Sequence, residues 1–149
     1  MTASVPLDIV PFWGRVNDEL IQIVDLVPDE QINWSPKPEL WNFRGILLHI
    51  ASARDYWMGR IVQDGDPAPS VYETARSKEE IKREYRRTWE RVQRLLSAPE
   101  KLSATYREDA VVSGHWIAFH LLEHDVHHRA DIFHYLALLG IEHPEVGTP

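Results

Sequence analysis

The sequence contains no cysteine. That absence excludes disulfides, thiolate-held metal and a nucleophile supplied by a protein thiol. It suits a reducing compartment, so a cytoplasmic location is expected. Basic excess is also missing. The formal net charge is −7, so a groove of phosphate-binding Lys and Arg, and with it a nucleic-acid partner, is not expected. No window has the length and apolarity of a membrane span, and no basic segment leads into an apolar run at the N-terminus. Internal repeats and low-complexity stretches are lacking too. The 149 residues fit one domain, 1–149, with a sizeable core.

What the chain does have is histidine, concentrated in one place. Six of its eight histidines lie between Gly114 and Gly140, a stretch without proline. Read as one helix, at about 100° per residue, it gathers His120, His124, His127, His128 and Asp131 on one face. Trp116, Ile117, Tyr135 and Leu138 share that face, which makes it core-facing. His120 and His124, and equally His124 and His128, are one turn apart, the spacing at which two imidazoles can grip one ion. Spacing alone does not choose between the pairs. A single histidine on an apolar face is ordinarily a hydrogen-bonded core residue. Several stacked together leave ring nitrogens that need partners, and a divalent cation satisfies several lone pairs at once.

Three further helices are predicted. Phe12, Val16, Leu20, Ile23 and Val27 recur at helical spacing, widened by Trp13 and Val24, until Pro28 stops the run. Residues 1–10 read as a lead-in. A proline-rich loop over 28–41 follows, whose Trp34 and Trp41 are expected to cap one end of the core, with the lining of a pocket as the lesser reading. Asn42 is a good N-cap for the second helix, with Trp41 and Ile46 at staple spacing. Its apolar stripe runs through Phe43, Ile46, Leu47, Ile50, Ala53, Trp57 and Ile61. His49 lies on the flank of that stripe. Alone it would be structural. Beside a pair of histidines from another helix it completes three imidazoles, a known catalytic zinc arrangement with one open position.

Residues 62–76 form a long connection that permits a crossover. Ser77 and Glu80 spell a capping box for a third helix, with Ile81, Tyr85, Thr88, Val92 and Leu95 inward. Arg83, Arg86, Arg87, Arg91 and Arg94 alternate with Glu79, Glu80, Glu84 and Glu90, the pattern of a solvated, salt-bridged face. Pro99 ends this helix, and an extended piece is predicted at 110–112. Gly140 and Pro144 terminate the last helix. That helix is apolar behind as well: Leu122, Val126, Phe133 and Leu136, flanked by Phe119 and Ala137, are interrupted only by Asp125 and Arg129. The expectation is a homodimer through this back face, the alternative being cover by the lead-in or the tail.

Four long helices, a lone His in the second and H-x-x-x-H-R in the last resemble the DinB-like metal-binding four-helix bundles, a superfamily related to bacillithiol- and mycothiol-dependent transferases. The matching pieces are LLHIASARDYW at 47–57 and FHLLEHDVHHRADI at 119–132. The resemblance implies an all-α, up-down-down-up bundle with a long crossover between helices 2 and 3. It also implies a divalent metal on His49, His124 and His128, with His120 and His127 nearby but not ligating. Members often have Arg-Gly-Gln after the last ligand, where this chain has Arg129-Ala130-Asp131. Asp131 is therefore open to three readings: a carboxylate orienting an imidazole, a fourth ligand, or a plain hydrogen-bonded residue.

A rival motif is present. His120, Glu123 and His124 spell the H-x-x-E-H of inverted zinc proteases, but too few residues follow to supply their downstream ligand. Among metals, Zn²⁺ and Ni²⁺ suit imidazole best, and Fe²⁺ or Mn²⁺ are compatible. By resemblance, the leading expectation is a metal-dependent transferase that adds a low-molecular-weight thiol cosubstrate to an electrophilic small molecule. Catalytic residues are not identified; His120, His127 and Asp131 are the candidates. The alternatives are a non-catalytic, stress-related metal- or ligand-binding bundle and a structural dimer whose histidines form a polar core layer.

Overall fold

Local signals, a proline for the first and side-chain caps for the others, place the starts of the four long helices. In the computed structural model, which describes residues 8–107 and 111–146, α1 spans Val10–Leu26 with proline in its first turn. α2 spans Phe43–Asp55, and the Asn42 side chain accepts from the Gly45 N–H at 2.7 Å. A short α3, Val71–Thr74, interrupts the long connection. α4 spans Lys78–Leu96 behind a complete Ser77–Glu80 capping box. After α5, Pro99–Ser103, strands β1 (Thr105–Tyr106) and β2 (Val112–Ser113) pair antiparallel. β2 takes up the end of the predicted extended piece; position 110 lies outside the described residues, as do 1–7 of the lead-in and 147–149 of the tail. α6 spans Gly114–Leu138, and the Ser113 hydroxyl accepts from the Trp116 N–H. Each cap satisfies a backbone N–H that the helix cannot bond internally.

Side-chain pairings fix the directions. Along α1 and α4, Trp13 meets Trp89 and Asp25 meets Lys82, so the two run antiparallel. Tyr85 bonds Leu47 while Arg91 bonds Asp55, so α2 and α4 run parallel. Trp57 meets His120 while the start of α2 meets Tyr135, so α2 and α6 are antiparallel. The bundle is therefore up-down-down-up, and the long connection before α4 is its crossover.

Three expectations about the core are corrected. Trp13, fully buried, takes the inward position on α1, and Phe12 is 45% exposed. Beyond Asp55 the second helix widens into a π-helical segment, Tyr56–Val62. The longer turn moves the buried position to Met58, leaving Trp57 and Ile61 half-buried. Arg91, assigned by its pattern to a solvated face, is buried. It pairs with Asp64 at 2.6 Å and with Asp55 at 2.9 Å, carboxylates outside its own helix.

Asp125 is the fourth correction. It does not interrupt an exposed back face but lies at the centre of the bundle, with no exposure. Its Oδ2 accepts from Arg54 Nη2 at 2.7 Å and from Trp13 Nε1 at 2.8 Å. Arg54, also fully buried, reaches Asn17 at 2.8 Å and Thr88 at 3.3 Å. The Arg54–Asp125 ion pair and its hydrogen-bond partners thus tie all four long helices together. The true back of α6 is partly covered: Phe133 stacks on His143 of the tail, with ring centroids 4.2 Å apart. Phe119 is 52% exposed. Among the described residues, no helix is long and apolar enough to cross a membrane.

Candidate metal centre

Because α2 and α6 run antiparallel, the middle of each meets the middle of the other. His49 of α2 arrives opposite His124 and His128 of α6. The Nε2 atoms of His49 and His124 are 2.9 Å apart. The ring centroid of His128 is 4.8 Å from that of His49 and 4.5 Å from that of His124. One ligating atom from each of the three rings lies within 4.8 Å of the others. The 124/128 pair, not 120/124, joins His49.

The electrostatics favour lone pairs over protons. Burial, followed by the neighbouring rings of His128, His49, His120 and His127, pushes His124 down to about 3 from its ordinary 6.5. Burial and then His128 lower His49 as well. Both rings are neutral near pH 7, the form that ligates metal. Two nitrogens bound to one Zn²⁺ stand about 2.9 Å apart at a right angle and about 3.3 Å apart at the tetrahedral angle, given Zn–N bonds of about 2.05 Å. The observed spacing falls at the short end of that range, so the residues fit a divalent ion. His124 Nδ1 is buried and has no hydrogen-bond partner among the described residues.

The remaining candidates separate into distinct roles. Asp131 Oδ2 lies 3.2 Å from His128 Nδ1, which leaves Nε2 as the nitrogen of His128 free for the cluster. A carboxylate on the second ring nitrogen is an arrangement common behind metal-ligating histidines. His120 is turned aside. It stacks on Trp116 with centroids 4.8 Å apart and rings within 9° of parallel, and its ring is 6.3 Å from that of His124. Glu123 is exposed, so the H-x-x-E-H pair is not assembled. His127 is exposed and meets His128 edge-on, with ring centroids 5.0 Å apart.

Two aromatic flanks border the histidines. Trp34 caps the core as the leading expectation had it, packing on Phe43 and Tyr135, whereas Trp41 follows the lesser one and lines a cleft. Trp41 lies against His49 at 4.6 Å and His128 at 6.2 Å, half-exposed, with its carbonyl accepting from the Tyr135 hydroxyl at 2.9 Å. On the other flank Trp57 and Trp116 enclose His120. A cleft of about 350 Å³ opens beside Trp41, His128 and Asp131. The one available signal for Trp41 was its place immediately before the N-cap of the helix that carries His49.

A family model described as the DinB superfamily matches residues 13–132. Two solved structures are similar to the chain over nearly its whole length. A DinB-like protein from Bacillus subtilis is 15% identical, with a TM-score of 0.72, and the match covers 94% of this chain and 95% of that one. A DinB-like protein from Bacillus cereus ATCC 10987 is 17% identical, with a TM-score of 0.69, and the match covers 95% of each. At such identity these likenesses speak to the fold. No curated protein matches the chain.

Proposed function

This chain belongs to the DinB superfamily, and from that membership we propose that it is a divalent-metal-dependent enzyme with His49, His124 and His128 as ligands. Its reaction transfers a low-molecular-weight thiol to an electrophilic small molecule. The observation that carries the metal assignment is the confrontation of two neutral imidazole nitrogens at 2.9 Å, with a third ring alongside. A bound divalent ion supplies Lewis acidity and favours the thiolate form of a thiol near neutral pH. Zn²⁺ and Ni²⁺ suit this ligand set best. The chain has no cysteine, so the thiol comes as a cosubstrate.

The surrounding residues have defined parts in this reading. Asp131 holds His128 through Nδ1 and fixes its tautomer. Trp41 gives the cleft an apolar wall, which excludes water from a thiolate and receives the apolar body of an electrophile. His120, whose ring is 6.3 Å from that of His124 and stacks on Trp116, is the imidazole assigned to accept the thiol proton. Assembly as a homodimer through the exposed Phe119 side of α6 belongs to the same proposal.

The test is elemental analysis of untagged protein followed by turnover assays with a panel of small thiols and a model electrophile such as chlorodinitrobenzene. Near-stoichiometric metal, its loss in His49→Ala and metal-dependent thiol consumption are the expected results. Equal metal content in His49→Ala removes that residue from the site. Full metal occupancy with no turnover across the panel favours a non-catalytic metal-binding protein.

A further inference from the structure

We propose a second cation site on the outer side of α6, made by His127, His128 and Asp131 and sharing His128 with the three-His cluster. It rests on the metal reading above for its neighbour but on different atoms for itself. One ligating atom from each of these three residues lies within 4.8 Å of the others. His127 and Asp131 are one helical turn apart, the separation at which two side chains of a helix chelate one ion. His128 stands between them, with Nδ1 3.2 Å from the Asp131 carboxylate.

An imidazole ring has two nitrogens on different edges, and each can hold its own ion. Nδ1 of His128 faces Asp131, and its other nitrogen, Nε2, remains for His49 and His124. Holding an ion on each edge, His128 would serve as a bridging imidazolate, its ring proton passing to solvent. Exposure grades outward from His128, whose side chain is 16% exposed, through Asp131 at 45%, to the exposed His127. The outer ion therefore enters from solvent, with water completing its coordination, and binds more weakly than the inner one. His128 and Asp131 also line the cleft beside Trp41, so the outer ion is placed where an anionic group of a small molecule can reach it.

The experiment uses untagged full-length protein stripped with EDTA and titrated with Cu²⁺, the divalent first-row ion with the highest affinity for nitrogen sites. Bound copper is counted by equilibrium dialysis, and its spin state is read by electron paramagnetic resonance. We expect two ions, the second bound at least tenfold more weakly. The signal should be smaller than that of two isolated ions, because a bridging imidazolate couples their spins. His127→Ala and Asp131→Asn should each keep one ion with full signal, and His115→Ala should behave like the unmodified protein. His49→Ala should lose the tight ion and keep the outer one. A single ion in the unmodified protein, lost in His49→Ala, overturns the outer site and leaves the inner one standing. Two ions undisturbed by His127→Ala and Asp131→Asn overturn it as well. Two ions with full uncoupled signal overturn the shared ring. An ion lost in His127→Ala but indifferent to His49→Ala supports the outer site and counts against the three-His assignment.

Discussion

The Nε2 atoms of His49 and His124 face each other across 2.9 Å, 75 positions apart in the chain. Nothing local to either residue produces that contact. It follows from two antiparallel helices meeting at their midpoints, and it costs free energy unless a proton or a cation lies between the two nitrogens.

The first prediction concerns pH. Both rings have folded-state values below the ordinary 6.5, with His124 at about 3. The unfolded chain then binds more protons than the native one between those values. The stabilisation is full above about 6.5 and is lost as pH falls toward 3. Metal-free protein should therefore melt at progressively lower temperature from pH 7.5 to 5.5, a window above most carboxylate titration. His124→Leu should flatten that slope. A melting temperature independent of pH over this window in the unmodified protein would contradict the assignment of neutral, buried rings.

A second prediction isolates Asp131. If its carboxylate orients His128 through Nδ1, Asp131→Asn should weaken binding of the inner ion about 10- to 100-fold. The fold should be unaffected, because the side chain is 45% exposed. Competition with a chromogenic chelator measures this. An unchanged affinity would return Asp131 to the status of a surface residue.

A third prediction concerns the Arg54–Asp125 pair, with both side chains fully buried. Asp125→Ala leaves a buried guanidinium without its counter-charge and should cost about 3–5 kcal/mol in urea unfolding. Replacing both partners by apolar side chains of similar volume should recover most of that loss. A single-mutant cost under about 1 kcal/mol would show that water reaches Arg54.

Gly114 begins α6 against the end of α5. A Cβ there would collide with the Lys101 carbonyl oxygen and stand 2.6 Å from the Leu102 Cα. These are backbone atoms and cannot swing away. Gly114→Ala should destabilise by about 1–3 kcal/mol or more, measured by thermal unfolding, whereas alanine at the unobstructed α1 position Gly14 should not.

The helices were legible because their signals are local. Asn42, the Ser77–Glu80 box and the prolines at 11, 28 and 99 act within a turn or two of themselves, and apolar spacing marks the inner face of each rod. The histidine stripe of α6 was legible for the same reason. Where local reading failed, a partner distant in sequence decided the outcome. Asp125 and Arg91 looked like surface charges because their counter-ions, Arg54 and Asp64, come from other parts of the chain. The π-helical segment after Asp55 shifted the buried position to Met58 without any break in the apolar pattern. Trp41 read first as a core cap and only second as a pocket wall, because its place beside His49 and His128 depends on how α6 crosses the start of α2.

By itself, then, the sequence determined that four amphipathic rods would form, which faces they would bury and that two of them would carry imidazoles. Tertiary structure decided which imidazoles meet. Residues 120, 124 and 128 repeat at one spacing, so helical geometry treats them alike. Only the depth at which α2 crosses α6 brings His49 to the second and third of them and leaves the first stacked on Trp116.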